Sequence, residues 1–120
     1  MDIIFLSTPT SESGVDDLIS FGVKYIKNGS DYLSHIPLLK YMASTGATII
    51  ISTGMALLSE IREVLNLYKS AENQNVILLH CVSNYPCKFA SLNLRVLHTL
   101  ADEFGFPVGY SDHAEGAYPA

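Results

Sequence analysis

Basic residues are scarce in this chain: seven Lys and Arg stand against twelve Asp and Glu, a formal net charge of −5. No Lys/Arg cluster occurs, which argues against nucleic acid and anionic membrane surfaces as partners. Any anionic ligand must instead be held by a few placed donors. Charge of either sign is sparse as well, 16% of residues against about 25% in an average domain. With 48% apolar residues, the chain has ample core material and little solvated surface. That imbalance suits a buried parallel sheet, or a portion of a larger fold with apolar faces left open. Cysteine is limited to Cys81 and Cys87, whose spacing fits neither a CxxC site nor a disulfide framework. Free, buried thiols in a reducing compartment are expected. Apolar runs are all too short for the ~18 residues of a transmembrane helix. "MDIIFLSTPT" lacks the basic region of a signal peptide, so the cytoplasm is the expected location. Tryptophan is absent.

What is present is an alternation. Apolar, largely β-branched or aromatic runs occur at Ile3–Leu6, Val23–Ile26, Thr48–Ile51, Val76–Leu79 and Pro107–Tyr110. They are continuous rather than alternating, which predicts strands covered on both faces. Helical patterns lie between them. Ser13 and Asp16 read as a capping box before Val15, Leu18 and Ile19, with Gly22 as the stop. Ile36–Thr45 has Pro37 in its first turn and Gly46 after its end. Leu58–Lys69 places Leu58, Ile61, Val64, Leu65 and Tyr68 on one side. Ser91 reads as the cap of a last helix with Leu94, Leu97, Leu100, Ala101 and Phe104 on one stripe, ended by Gly105. The order βαβαβαβαβ predicts right-handed crossovers and an α/β fold with a parallel sheet.

Each apolar run ends in polar residues: Ser7–Thr8, Lys27–Asp31, Ser52–Thr53, His80–Cys81 with Ser83–Tyr85, and Ser111–His113. In a parallel sheet these ends share one edge, where sites form. Hydroxyls from Thr8, Ser30, Ser52, Ser83 and Ser111, with the N–H groups of Gly29 and Gly54, suit a phosphate or other oxyanion. For any one of those hydroxyls taken singly, capping a helix is the more usual role. Lys27 is placed to pair with an anionic ligand, to balance Asp31 at the rim, or to act as a Schiff-base nucleophile. His80 and His113 both close strands. Their spacing matches no metal motif, and a lone histidine is usually a hydrogen-bonded core residue.

The segments "FLSTPT", "KNGSD", "IPLLKYMASTGATIIISTGMALLSEI", "ILLHCVSNYP", "LNLRVLHTL" and "FPVGYSDHAEG" together resemble the sialic acid synthase family. Those enzymes condense phosphoenolpyruvate with an N-acylated sugar to give nonulosonic acids. The resemblance runs over residues 1–120 and implies a partial TIM barrel. It comprises five parallel strands and four helices matching the family's third to seventh strands. The first two strands, the last strand and the C-terminal antifreeze-like domain are not matched. It further implies phosphoenolpyruvate contacts from Thr8, Lys27, Ser30, Ser52, Ser83 and Ser111, and sugar contacts from Tyr85 and Asp31. Lys27 and His113 take the catalytic roles. His113 is implied as a ligand to a divalent metal, manganese or magnesium, with its second histidine outside this chain. Tyr32 stands where the family commonly has an acidic sugar contact, Asn28 where it has an apolar residue, and Thr48 where it has a proline. The expectations are a synthase portion that is inactive alone, small-molecule substrates and self-association through open sheet edges. The alternatives are a non-catalytic truncated product with weak anion binding, and a Schiff-base aldolase acting through Lys27.

Overall fold

The computed structural model describes residues 3–116. In chain order it contains α1 (Glu12–Ser20), β1 (Tyr25–Asn28), α2 (Ile36–Ser44), β2 (Thr48–Ser52), α3 (Leu58–Ser70), β3 (Val76–His80), α4 (Val96–Phe104) and β4 (Val108–Tyr110), with short 3-10 turns at Ser30–Tyr32 and Phe89–Ser91. The strands form one parallel sheet in the order β1-β2-β3-β4. Sequential order with every crossover helical is the expected winding for such a pattern.

Register stacks the apolar side chains in rows. Ile26, Ile49 and Val76 are partners in one row, Ile51 and Leu78 in the next, and all five are buried. They pack with Leu38, Leu39, Met42, Ile61, Val64, Leu65 and Tyr68 of α2 and α3. Side chains alternate across a strand, so Lys27, Ile50, Ile77 and Leu79 leave the opposite face, where they are only half-buried. One face of the sheet is therefore sealed by helices and the other is open, in place of the two covered faces that continuous apolar runs suggested.

The leading run behaves differently from the other four. Ile3–Leu6 forms no strand; the segment contributes a single parallel bridge, Ser7 to Ile26, through a Lys27 N–H···O=C Ser7 bond of 2.9 Å. Ile3, Ile4 and Phe5 are 81%, 68% and 63% exposed. Among the described residues no layer covers them, so β-propensity alone does not extend the ladder.

Helix starts also shift. Ser11, not Ser13, caps α1, accepting from the Gly14 N–H at 3.1 Å. The imidazole Nδ1 of His35 accepts from the Leu38 N–H at 3.2 Å and caps α2. The last helix begins at Val96 rather than after Ser91, because Ser91 lies in a 3-10 turn and Asn93 takes a left-handed backbone, φ 48°. On its stripe only Leu100 is buried, while Leu97 and Phe104 are half-buried and Leu94 and Ala101 exposed. On α3, Leu58 is exposed whereas Ile61, Val64, Leu65 and Tyr68 are buried as the pattern required.

Buried Asn73 ties the amino end of the sheet together. Its amide donates to the carbonyls of Ala43 and Ala47, both at 3.1 Å, and its Oδ1 accepts from the Asn75 N–H at 3.0 Å. Asn73→Ala removes three partners at once and is expected to lower stability by about 1.5 kcal/mol, read as a lower urea midpoint at unchanged slope. An unchanged midpoint would show those backbone groups to be satisfied without the side chain.

Candidate active site at the carboxyl ends of the strands

Because the strands are parallel, Asn28, Ser52, His80 and Tyr110 finish at one edge. Ser52 lies two residues beyond Ile50, the β2 partner of Lys27, so both side chains leave the open face. The Lys27 ammonium donates to Ser52 Oγ at 2.9 Å. Around this pair is a cleft of about 320 Å³ lined by Lys27, Gly29, Ser30, Asp31, Ser52, Met55, Cys81, Ser83, Tyr85 and His113. Seven of the residues singled out in the sequence thus meet in one place: Lys27, Ser30, Asp31, Ser52, Ser83, Tyr85 and His113.

The imidazole of His113 is fixed from behind. Its Nδ1 lies 2.7 Å from the carbonyl oxygen of Val82. A carbonyl only accepts, so Nδ1 carries the proton and Nε2 keeps a lone pair. Nε2 stands 3.4 Å from the Tyr85 hydroxyl and 3.5 Å from Ser111 Oγ. The Tyr85 ring stacks on the imidazole at a centroid distance of 4.3 Å. Ser111 thus stands beside His113 Nε2 and is not one of the residues lining the cleft. Exposed Thr8 is not one of the lining residues either; its methyl lies 4.0 Å from where a Cβ on Gly29 would be.

Asp112, the obvious neighbour to orient His113, instead accepts from the Tyr110 hydroxyl at 3.0 Å and from the Ala114 N–H at 2.9 Å. It caps the turn, and the orienting acceptor is Val82. Burial, together with the Asp112 carboxylate, pushes the Tyr110 phenol up to about 12, so it remains a neutral donor at physiological pH. His80 points to the helix side, buried, with Nε2 2.7 Å from the Leu92 carbonyl; it is a core histidine. Asn28 is also fully buried on that side. Its amide donates to the Gly29 carbonyl at 3.0 Å, while Oδ1 has no hydrogen-bond partner among the described residues. Tyr32 stacks on His35, centroids 5.9 Å apart.

Two features of the edge are not visible in the sequence. The Gly54 N–H, expected as a free anion donor, is already given to Ser30 Oγ at 3.0 Å. Cys81, read as a free buried thiol, lines the cleft with Sγ 3.2 Å from Ser30 Oγ. The one available signal was its position, immediately after the last residue of an apolar strand. As for a metal, the lone pair of His113 Nε2 fits one coordination position. Among the described residues no group of three His, Cys, Asp or Glu side chains converges to complete a site.

Residues 1–120 match the NeuB family. The N,N'-diacetyllegionaminic acid synthase of Legionella pneumophila is 43% identical over 120 residues, covering 97% of this chain and 34% of that protein. The Campylobacter jejuni enzyme of the same name is 44% identical, covering 98% and 36%. A crystal structure of N-acetylneuraminic acid synthetase from Leptospira borgpetersenii, in complex with citrate, superposes with a TM-score of 0.92 at 38% identity, covering 95% of this chain and 40% of that one. A phospho-2-dehydro-3-deoxyheptonate aldolase from Thermotoga maritima shares the fold alone, with a TM-score of 0.75 at 13% identity. This chain spans about a third of the length of the curated relatives it matches. With its parallel βα units in sequential order and a family match that extends from the first residue to the last, the chain belongs to the NeuB family.

Proposed function

We propose that this chain is the central part of the catalytic barrel of a nonulosonic acid synthase, whose strand-end cleft holds phosphoenolpyruvate for condensation with an N-acetylated, N-acetylmannosamine-like sugar. The observation that supports this most directly is the ammonium of Lys27 held on Ser52 at 2.9 Å, in a cleft that also carries the hydroxyls of Ser30, Ser83 and Tyr85 and, at its exposed side, the Asp31 carboxylate. A cation fixed among hydroxyls, with the carboxylate of Asp31 at the exposed rim, suits a phosphorylated carboxylic acid better than a neutral ligand.

In such a condensation C3 of the enol attacks the aldehyde carbon of the open-chain sugar, water adds at C2, and phosphate leaves. Lys27 neutralises phosphate or carboxylate charge, and Ser30, Ser52 and Ser83 orient it, with Thr8 at the rim and Ser111 beside His113 Nε2. Tyr85 and Asp31, at the solvent side of the cleft, meet the sugar. His113, through Nε2, would be this chain's ligand to manganese or magnesium, the second histidine coming from outside it. When bound, that ion supplies Lewis-acid polarisation of the sugar carbonyl. The Val82 carbonyl keeps the imidazole in the tautomer that leaves Nε2 available.

Metabolite substrates and two free thiols support a cytoplasmic location; no helix among the described residues is long and apolar enough to cross a membrane. The half-open sheet and the bare Ile3–Phe5 segment lead us to expect self-association. Sedimentation velocity should show species above monomer mass that grow with concentration, and a sharp monomer at high concentration would contradict this.

Grafting this chain in place of the corresponding segment of the Legionella synthase tests the reading. The chimera, given phosphoenolpyruvate, manganese and that enzyme's own sugar substrate, is expected to release phosphate. His113→Ala should bring release to background, and the isolated chain should release none. A folded chimera without activity would favour a non-catalytic product that only binds anions.

A further inference from the structure

We propose that Cys81 is a positioning residue. Its thiol holds the hydroxyl of Ser30 in place and readily yields that contact to an anionic oxygen entering the cleft. The second half of this statement rests on the phosphoenolpyruvate reading above; the first half does not.

Proton accounting around Ser30 leads there. The Gly54 N–H occupies one lone pair of Ser30 Oγ at 3.0 Å. The hydroxyl proton and a second lone pair remain, and the neighbour within reach of them is Cys81 Sγ at 3.2 Å. Ser30 follows β1, Gly54 follows β2 and Cys81 follows β3. The three ends are thus joined through one oxygen atom. The two outer partners are packed closely against each other. Cys81 is 3% exposed, and a Cβ added at Gly54 would sit 2.6 Å from Sγ and 2.9 Å from the Cys81 carbonyl oxygen.

Sulfur is what makes this arrangement yield. A thiol is a weak donor and a weak acceptor, so its bond to Ser30 orients the hydroxyl without competing strongly for it. An anionic oxygen makes a charge-assisted bond roughly twice as strong as a neutral one. Because Ser30 and Cys81 both line the cleft, the proton needs only to rotate about Cβ–Oγ to exchange one partner for the other. The Gly54 bond fixes the oxygen throughout. Lys27 is held on Ser52 in a similar way, so two cleft donors are oriented before a ligand arrives, which reduces the ordering cost of binding.

The experiment uses the full chain and four proteins: wild type, Cys81→Ala, Ser30→Ala and the double variant. Amide hydrogen exchange at Gly54 is read by NMR without ligand, and phosphoenolpyruvate affinity by titration. Gly54 protection should fall in both single variants and no further in the double. Affinity should drop about threefold to tenfold in Cys81→Ala and by no additional factor once Ser30 is alanine. Cys81→Ser keeps a hydrogen-bonding atom and should retain Gly54 protection. Unchanged protection in Cys81→Ala, or losses that add in the double variant, would overturn the proposal. If Cys81→Ala does not fold, Cys81→Ser decides: protection as low as in Ser30→Ala overturns it. Equal phosphoenolpyruvate binding by wild type and Lys27→Met, or none by either, would defeat the ligand reading instead, and the exchange data would still decide whether Cys81 holds Ser30.

Discussion

Replacing Lys27 by methionine in the Legionella chimera is expected to cut phosphate release about 100-fold or more, the scale of removing one preorganised donor to developing charge. Methionine keeps most of the stem that packs over the open face and removes only the ammonium. Stability should therefore change little, since Lys27 is half-buried and, among the described residues, its side chain is bonded to Ser52. Lys27→Arg is not a rescue: a planar guanidinium cannot place a single compact charge at 2.9 Å from Ser52 with the same geometry. The measurement is steady-state phosphate release over a range of phosphoenolpyruvate concentrations. A Lys27→Met chimera as active as its parent would remove the charge argument for this cleft.

Gly54→Ala should destabilise the chain by about 3 kcal/mol, the upper part of the usual range for overpacking. Its backbone is not in the left-handed region; the cost is space. The added methyl would meet Cys81 Sγ at 2.6 Å, Ser83 Oγ at 2.8 Å and the Cys81 carbonyl oxygen at 2.9 Å. The sulfur and the hydroxyl could swing aside, but the carbonyl belongs to the chain leaving β3 and cannot move without it. The loss should appear in urea unfolding, accompanied by weaker phosphoenolpyruvate binding as Ser30 and Ser83 are displaced. A variant with wild-type stability would mean that β2 and β3 spread at this edge at little cost.

The contrast between Asp112 and Val82 illustrates what a sequence can reveal about such a site. Adjacency alone leaves open whether Asp112 orients His113 or caps the following turn. The orienting acceptor is instead a backbone carbonyl 31 positions earlier, and main-chain carbonyls have no identity in a sequence. Gly54 is a similar case. Its N–H was legible as a donor, but only the folded chain shows that donor already committed to Ser30. His80 and His113 look alike in the sequence, each following an apolar run, yet His80 is the last residue of β3 and faces the helices, while His113 lies three residues past β4 and lines the cleft. The parity of a strand residue depends on where pairing begins.

By itself the sequence determined the βα alternation, the parallel sheet, most of the buried stripe on α3 and the polar edge with its lysine, hydroxyls and histidine. These follow from local periodicity and from the rule that parallel strands end together. The tertiary structure alone decided which of those groups share a cleft, which are used up by one another, and that Ile3–Leu6 forms no strand, the bridge to β1 being made by Ser7 after it. Each of these depends on distances between residues far apart in the chain, set by register, burial and the direction of single side chains, and no local pattern encodes them.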